Sequence, residues 1–443
     1  MKFILSIIGI TFLSITNAQD TKVWTLKACV DYALENNISI KQSELDKNIS
    51  MEDVKAAKWN FAPNLNANAS QNFNFGSSIG VSGARIPADF RSNNFGINST
   101  VNLFNGFANI HTLSQSKINV EVREAAIAKM KNDIALNVVN SYLQILFAKE
   151  QLKVAESQLS ISQGEVNRIK ELVDAGVFPE GNLLNIQSSL ANDNRQVVVA
   201  QNTLSLASLR LAQMLQLPNM DITIEEIDLD IQNQAVLGND VEAIYNKAAE
   251  SFPEVKVAEL NILSAEKTVK IAKTNFYPTL TASFGLNTAY QHRQGTNDFS
   301  PFLFSDQIND NLGKSVIFSL NIPIFNRYQF RSNVNKSKIN YQKIAYNLES
   351  EKLRLRETIQ SAYTDAQASS KSYDAATTSV TAQQKAFEYA QERFKAGAIN
   401  SFDFNQTKNN LVNAQSQLIQ SKYDYMFKLK VLEFYYGVPF VVE

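Results

Sequence analysis

The sequence contains few of the residues that interrupt helices. Its 443 residues include 15 glycines and 9 prolines, and these two residue types are the least favourable inside a helix. Residues 105–173 and 326–396 contain no proline at all. At about 1.5 Å per residue, a helix over either stretch would be roughly 100 Å long. The scarcity of glycine and proline therefore predicts a mainly α-helical chain with very long helices.

Residues that carry chemistry are equally scarce. The single cysteine, Cys29, cannot form an intrachain disulfide, and its place in a short predicted helix favours a buried apolar side chain. The two histidines, His111 and His292, lie without the spacing of metal ligands. No phosphate-binding glycine loop is present, and no set of serine, histidine and acid stands out. These absences predict a protein that is not an enzyme, with no catalytic residues, no cofactor and no metal site.

An excess of either charge is also lacking. Lys and Arg number 42 and Asp and Glu number 43, so no general attraction to nucleic acid is expected. The one marked apolar run, residues 3–15, follows Lys2 and precedes a small-residue segment at 16–18. It is too short for a good membrane span and predicts a secretory signal peptide over residues 1–18. The mature chain is then exported, and any membrane insertion must use β-strands.

What the sequence does contain is an internal duplication. The segment 57–65, AKWNFAPNL, is matched 215 positions later by 272–280, AKTNFYPTL. Further along the spacing becomes 221, as in Phe104-Asn105 and Phe325-Asn326, Ala175-Gly176 and Ala396-Gly397, and Leu217-Pro218 and Val438-Pro439. We expect a first repeat over residues 19–220, a linker over 221–240 and a second repeat over 241–443. Each repeat should carry the same structural role.

Both repeats predict one order of elements: a short helix, a medium helix, a strand, a loop, a strand, a very long helix, a tight turn and a long helix. In the first repeat the short helix covers residues 26–35, with Thr25 as its N-cap. The medium helix covers residues 40–59. Pro63 ends this region, because the residue before a proline is kept out of the helical conformation.

Strict alternation of apolar and polar residues marks two strands in each repeat. The apolar positions are Leu65, Ala67, Ala69, Phe73 and Phe75, then Phe95, Ile97, Val101 and Leu103; Leu280, Ala282, Phe284 and Leu286, then Val316, Phe318, Leu320, Ile322 and Ile324. A period of two predicts half-buried strands, and about ten residues is the length of a tilted strand that crosses an outer membrane. Residues 76–94 and 288–313 are predicted loops at the outer ends. A soluble β-sandwich is the alternative.

Apolar residues spaced by seven run along the four longest predicted helices. They are Leu152, Leu159, Val166 and Val173; Leu183, Leu190, Val197, Leu204 and Leu211; Tyr373, Val380, Phe387 and Phe394; and Phe404, Leu411, Leu418, Tyr425 and Leu432. A sustained seven-residue spacing is typical of helices packed as coiled coils. Matched stripes in two copies therefore predict antiparallel helical hairpins.

The turn of each hairpin contains a glycine, Gly176 in one and Gly397 in the other. Each stands where the end of a helix favours a left-handed residue, and either Asn400 or Ser401 can cap the returning helix. The apolar residues Val177, Phe178 and Ile399 are predicted to be exposed. Since a hairpin end in water should be polar, their exposure predicts a docking site for another protein.

Four membrane strands per chain cannot close a barrel, and open strand edges cannot exist in lipid. Three chains would supply twelve strands, enough for a water-filled lumen, together with a ring of twelve helices. The predicted fold class is therefore mainly α with a membrane β part. Duplicated helical hairpins would form a trimeric α-barrel, and four strands per chain would contribute to a shared twelve-stranded transmembrane β-barrel.

This arrangement resembles the TolC-like outer-membrane efflux protein family. The resemblance runs from about Leu26 to Pro439 and rests on the strand entries at 60–63 and 275–278, the strand exits at 103–106 and 324–327, and the two glycine turns. It implies a homotrimeric channel-tunnel in the lipid of the cell outer membrane, extending into the periplasm. Such a channel passively conducts substrates in a tripartite efflux or type I secretion system.

The resemblance also implies partners and site residues. The hairpin tips, Gly176, Val177, Phe178, Gly397, Ala398 and Ile399, would dock a periplasmic adaptor (membrane fusion) protein, which is coupled to an inner-membrane pump of the RND or ABC type. The tunnel mouth would be lined by Asp403, Gln406 and Asn182, with three copies of Asp403 in a ring. The alternative explanation is that Asp403 is only an exposed carboxylate near the start of a helix, where the helix dipole favours negative charge. Phe394 and Ile399 stand where better-known members place a tyrosine and an arginine of a closed-state network.

Other functions are compatible with parts of this pattern. A secreted structural coiled-coil scaffold without channel activity would use the helices but not lipid-facing strands. A duct dedicated to one secreted protein would use the same fold. Metal-ion efflux is a further alternative, although the sequence has no clusters of histidine and methionine.

Overall fold

The computed structural model of this chain describes residues 23–79, 83–87, 89–218, 222–226, 237–293 and 303–438. The predicted signal peptide, residues 1–18, lies outside the described residues, and so does most of the predicted linker. The repeat boundaries at 220 and 241 stay a prediction.

Nine helices occur in the described ranges: α1 (Leu26–Asn36), α2 (Ile38–Trp59), α3 (Ala108–Asp174), α4 (Glu180–Met214), α5 (Val241–Ser251), α6 (Pro253–Thr274), α7 (Phe304–Asp310), α8 (Gln329–Lys395) and α9 (Ser401–Tyr435). Helices α3 and α8 have 67 residues each, and α4 and α9 have 35 each. The predicted long helices and the predicted order of elements are therefore confirmed. Thr25 caps α1 as predicted, because its hydroxyl oxygen accepts a bond from the Ala28 N–H at 3.0 Å.

The described strands are β1 (Val23–Trp24), β2 (Asn66–Asn74), β3 (Ser77–Ile79), β4 (Arg85–Pro87), β5 (Phe90–Asn105), β6 (Thr223–Ile224), β7 (Thr279–Arg293) and β8 (Gly313–Asn321). The main sheet has four antiparallel strands in the order β2-β5-β7-β8. Ile97 pairs with Ala67 on one side and with Leu286 on the other. The four segments of alternating apolar residues are therefore confirmed as strands, namely β2, β5, β7 and β8.

Their ends differ from the prediction. Residues 76–94 are not one loop, since they hold β3, β4 and the start of β5, and residues 288–313 include the end of β7 and helix α7. Phe90 pairs with Arg293 and Arg91 with His292. The backbone ladder therefore continues beyond the last alternating apolar residue, and alternation could not reveal it. At the other end, β8 stops at Asn321, just before Pro323, because proline cannot donate a ladder hydrogen bond.

The described residues form two compact units. Unit 1 comprises the described parts of Met1–Ile40, Lys131–Ala248 and Glu357–Glu443, and unit 2 comprises Lys41–Met130 and Ala249–Arg356. Each unit takes residues from both sequence repeats. Unit 2 contains the four-stranded sheet, and unit 1 contains both hairpin turns.

The core of unit 1 is built around Tyr142, whose side chain is fully buried. Its hydroxyl donates to the carbonyl oxygen of Glu225 at 2.7 Å. Burial, with smaller effects of Cys29 and Glu225, raises the pKa of Tyr142 far above its ordinary value. Cys29 lies in the same core with no exposed surface, as predicted for a small apolar side chain.

Candidate functional site

The two hairpin turns have the same backbone geometry. After α3, the N–H groups of Gly176 and Val177 donate to the carbonyl oxygens of Val173 and Leu172 at 2.9 and 2.8 Å. After α8, Gly397 and Ala398 repeat this pattern with Phe394 and Arg393 at 3.1 and 2.8 Å. This pair of bonds is the Schellman motif, which requires a left-handed residue after the helix.

Glycine supplies that conformation in both turns. Gly176 has φ = 74° and Gly397 has φ = 69°, a region that costs residues with a Cβ about 1 kcal/mol or more. Among the described residues, apart from each glycine and its two chain neighbours, no atom lies within 4 Å of a Cβ added at Gly176 or Gly397. The two glycines are therefore needed for backbone conformation and not for space.

The start of α9 is capped by Asn400 and not by Ser401. The Asn400 side-chain oxygen accepts a bond from the Asp403 N–H at 2.9 Å. Ser401 is buried, and its hydroxyl lies 3.4 Å from the side-chain oxygen of Asn182. Ser401 thus contacts the other hairpin, which leaves the capping role to Asn400.

The predicted exposure of the apolar tip residues is wrong for two of them. Val177 is 63% exposed, but Phe178 and Ile399 are only partly exposed and pack against a buried cluster. That cluster, the tip core, contains Val166, Ile169, Ile186, Phe387, Phe394, Phe404 and Leu411. Phe178 and Ile399 are therefore held partly out of water by contact with the tip core.

The sequence analysis did not include one exposed aromatic residue beside the turns among the tip residues. Phe402, two residues into α9, is 73% exposed. Its position two residues after the N-cap Asn400, next to the buried Ser401 and two before the buried Phe404, could have identified it as an outward-facing apolar residue. The described tip surface therefore presents Val177, Ala398 and Phe402 to solvent.

Aromatic stacking joins the two arms of the second hairpin. The ring of Phe394 in α8 is stacked on that of Phe404 in α9 with centroids 4.6 Å apart, and Phe387 lies 5.7 Å from Phe404. Such pairs contribute about 1 kcal/mol beyond area burial. Phe394 is thus a core residue here, at the position where the resemblance implied a tyrosine of a polar network.

The predicted mouth residues are placed differently from one another. Asp403 and Gln406 lie on the exposed face of the first turns of α9, where Gln406 donates to Asn410 at 3.2 Å. Asn182, in the first turn of α4, is partly buried against Ser401. Asp403 and Gln406 therefore share one face, whereas Asn182 is engaged between the hairpins.

A buried charged network ties the hairpins together, with its lysine between the tip-core residues Phe404 and Leu411 along α9. The Lys408 ammonium donates to Asp193 at 2.9 Å and to the Ser162 hydroxyl at 2.7 Å, and Ser162 donates to the same Asp193 oxygen. The side chain of Lys408 is 3% exposed and that of Asp193 is 14% exposed. The three residues belong to α9, α4 and α3, so one ammonium group links both hairpins.

A second charged pair lies close by on α3. The Arg168 guanidinium donates to the carbonyl oxygen of Lys395 at 3.0 Å and lies 5.9 Å from the centre of the Phe394 ring. Glu165 lies 3.6 Å from Arg168 and is buried. Burial raises the pKa of the Glu165 carboxyl, while Arg168, Lys395 and Lys408 act in the opposite direction.

Sequence reasoning missed this network, although the heptad pattern contains its signal. Ser162 and Asp193 each stand three residues after a stripe residue and four before the next, and Lys408 stands four after Phe404 and three before Leu411. In a coiled coil these intermediate positions also face the partner helix. A search for polar residues at those positions would have found all three.

Within the described residues, no helix has both the length and the apolar content of a membrane span. The long helices are mixed in polarity throughout, as expected for helices that bury one stripe.

Comparison with known proteins defines the family. The model of the family described as outer membrane efflux protein matches residues 29–216 and 244–438, which is most of the chain in two segments. Pyoverdine export outer membrane protein OpmQ of Pseudomonas aeruginosa is 23% identical over 290 residues, covering 64% of this chain and 56% of that protein. Outer membrane protein TolC of Escherichia coli is 20% identical over 397 residues, covering 88% of this chain and 78% of that protein.

Among solved structures, the outer membrane protein VceC of Vibrio cholerae has the same fold. The TM-score is 0.76 at 16% identity, and the match covers 94% of this chain and 97% of that one. The TolC-like resemblance inferred from the sequence is confirmed by these matches. The chain belongs to the outer membrane efflux protein family, which places it in the outer membrane as an efflux channel protein that extends into the periplasm.

Proposed function

We propose that three copies of this chain form a passive channel-tunnel that carries substrates from a periplasmic adaptor and an inner-membrane pump to the outside. The observation that carries the proposal is the open four-stranded sheet. Its outer strands, β2 and β8, each have nine residues and one edge without a partner among the described residues. An open edge in lipid leaves backbone groups unsatisfied, at several kcal/mol each.

Pairing of β8 from one copy with β2 of the next satisfies both edges. Such head-to-tail contacts close into a ring when the rotation permits, and three copies give twelve strands with room for a lumen. Channel formation is tested by reconstituting the detergent-extracted protein into planar bilayers. Discrete conductance steps from the trimer fraction support the proposal, and a trimer that inserts without conductance contradicts it.

We further propose that the adaptor docks on the tip surface formed by Val177, Ala398 and Phe402. Phe178 and Ile399 support this surface from inside, and Gly176 and Gly397 set the turns. A photo-crosslinking residue at position 177 in whole cells should capture a periplasmic membrane fusion protein. The same residue at position 198, where Val198 on α4 is 59% exposed, serves as the matched control and should capture none.

Asp403 is proposed to set ion preference at the tunnel mouth. In a trimer, three exposed Asp403 carboxylates with Gln406 beside them would form a negative ring. Asp403→Asn should lower the cation preference of single channels at low salt, and the control Asp365→Asn, on the exposed face of α8, should not. Unchanged selectivity with slightly lower helix stability would assign Asp403 to the helix dipole instead.

The cargo is proposed to be selected by the pump and not by this chain. The relatives include one protein named for pyoverdine export and another named for toxin and drug export, although both are similar to this one chain. No residue of the described site has a chemistry that discriminates among such substrates. The free energy for transport is likewise assigned to the pump, so the chain itself catalyses no reaction.

A further inference from the structure

The four helix ends that adjoin the main sheet lie side by side in unit 2. The Asn109 side chain at the start of α3 donates to the Asn60 carbonyl oxygen after α2 at 3.0 Å. A Cβ added to Gly106 would lie 2.8 Å from the Thr274 carbonyl oxygen at the end of α6. The Phe276 and Phe330 rings, after α6 and in α8, have centroids 5.8 Å apart. The helix ends therefore follow the order of the strands.

Charge is strongly biased at this level of unit 2. The junction segments 54–65, 105–120, 267–287 and 321–348 contain no Asp or Glu at all. Their basic residues are Lys55, Lys58, Lys117, Lys267, Lys270, Lys273, Arg327, Arg331, Lys336, Lys338 and Lys343. Because the whole chain has 43 acidic and 42 basic residues, this bias is a local feature of the junction.

The basic residues nearest the sheet form no ion pair with any residue that the structure describes. Lys58, Lys273, Arg327 and Arg331 are exposed and lie within about one helical turn of a helix end. No carboxylate lies within 4.0 Å of any of the four in the part of the chain that the structure describes. Slightly farther from the sheet, by contrast, Lys55 pairs with Glu52 at 2.7 Å.

Exposed aromatic residues stand among these four basic residues. Trp59 is 74% exposed, Tyr277 51%, Phe325 85% and Tyr328 59%. Together with Lys58, Lys273, Arg327 and Arg331 they form the surface that we call the junction collar. Tryptophan and tyrosine are typical of the level of lipid headgroups, where one end of the ring is apolar and the other is wet.

The backbone holds two collar residues, Arg327 and Tyr328, in an unfavourable conformation. Arg327 and Tyr328 have φ = 53° and 68°, and the matching residues of the first repeat, Gly106 and Phe107, have φ = 64° and 70°. Left-handed backbone costs a residue with a Cβ about 1 kcal/mol or more. The second repeat thus carries an arginine where the first has the glycine that this conformation favours, and the arginine side chain is exposed.

We propose that the junction collar binds the headgroups of anionic phospholipids at the periplasmic surface of the outer membrane. Unpaired basic side chains near a membrane surface attract anionic lipid by about fivefold each, and the aromatic residues fix the depth at which the collar lies. Charge complementarity selects the lipid class: the collar has no acidic residue, and an anionic headgroup carries a net negative charge. The inference rests on the proposed function, in that the main sheet must lie in the membrane.

The test measures lipid selectivity at the protein surface. The trimer is reconstituted in phosphatidylcholine bilayers with trace spin-labelled phosphatidylglycerol or phosphatidylcholine, and the ratio of their association constants is determined from the immobilised fraction. We expect the wild-type protein to prefer phosphatidylglycerol by at least about fivefold at low salt and to lose the preference at high salt. The variant K58Q/K273Q/R327Q/R331Q should have a ratio near one.

Two further variants control for charge and folding. K170Q/R195Q/K371Q/K385Q removes the same charge from exposed positions of unit 1 and should keep the wild-type ratio. If the collar variant fails to form the trimer, the pairs K58Q/K273Q and R327Q/R331Q take its place, and each should lower the preference at least threefold. The substitution K58R/K273R should retain it.

Each remaining outcome contradicts the proposal. A wild-type ratio near one, in bilayers where the trimer conducts, overturns the lipid site while the proposed channel stands. Failure of the trimer to enter bilayers refutes the membrane placement itself. If inorganic phosphate abolishes the lipid preference at an ionic strength where chloride does not, the collar binds free phosphate ions instead. If the unit 1 control variant loses the lipid preference to the same extent as the collar variant, the preference is an effect of net charge alone.

Discussion

Replacing Lys408 should destabilise unit 1 far more than an ordinary surface lysine would. The Lys408→Met substitution keeps most of the aliphatic length and removes the ammonium group that contacts Asp193 at 2.9 Å and Ser162 at 2.7 Å. The Asp193 carboxylate, 14% exposed, then keeps the Ser162 hydroxyl as its one hydrogen-bond partner among the described residues. Its desolvation is no longer offset by an opposite charge.

The magnitude follows from the burial of the pair. Removing one partner of a buried ion pair costs about 3–5 kcal/mol, because it leaves an uncompensated charge. Since Asp193 retains some contact with water, we expect a loss near 3 kcal/mol. For a unit of this size, 1 kcal/mol corresponds to roughly 2–4 °C in the unfolding temperature, so the helical signal should melt roughly 10 °C lower.

A double-mutant cycle isolates the interaction. Removing both charges with Lys408→Met and Asp193→Leu should return stability to within about 1 kcal/mol of wild type, since apolar replacement of a buried pair is often neutral. With a loss near 3 kcal/mol for Lys408→Met alone and at most about 1 kcal/mol for the double variant, the coupling between the two positions should be at least about 2 kcal/mol.

The control is Lys428→Met, which breaks an exposed pair with Asp424 on the same helix. Such pairs contribute about 0.5 kcal/mol, so this variant should melt close to wild type. Thermal unfolding of the detergent-solubilised trimer, followed by far-ultraviolet circular dichroism, measures all four variants. A Lys408→Met protein as stable as the Lys428→Met control, or a double variant no better than either single one, would refute the reasoning.

Three further substitutions probe the hairpins by the same assay. Gly397→Ala should cost about 1 kcal/mol because of its φ of 69°, whereas Gly164→Ala, inside α3 with open space around it, should stabilise by about 0.5–1 kcal/mol; equal effects would contradict the conformational explanation. Asn400→Ala should cost about 1 kcal/mol through loss of its bond to the Asp403 N–H, and an unchanged melting temperature would remove it as the cap. Glu165→Gln should stabilise at neutral pH, because burial raises the pKa of the folded-state carboxyl. The ionised Glu165 carboxylate therefore lowers the stability of the folded protein at pH values above 4.5, the pKa of this carboxyl in the unfolded chain. The stabilisation by Glu165→Gln should disappear below that pH. A stabilisation that does not change with pH would contradict this explanation.

Much of the helical architecture could be predicted because it depends on short-range patterns. The proline-free stretches and the seven-residue spacing of apolar residues specify α3 and α8, and every residue of the four predicted stripes is buried or partly buried. Thr25 and the two turn glycines act within four residues of their own positions, so their roles could be identified from the sequence.

Features that depend on contacts between distant segments could not be predicted in this way. The extension of β7 to Arg293 depends on pairing with Phe90 of β5, about 200 residues away along the chain. The partial burial of Phe178 and Ile399 depends on the tip core, which combines residues of four helices. The association of Lys408 with Ser162, 246 residues apart, likewise requires the folded hairpins to be packed together.

The central claim is that three chains share one channel. Its most direct test is the native mass of the mature protein after extraction from membranes in mild detergent, with the detergent contribution subtracted. We predict a mass close to three mature chains, found in the membrane fraction alone. A protein that stays monomeric in water without detergent would contradict the shared channel and would favour a secreted coiled-coil scaffold instead.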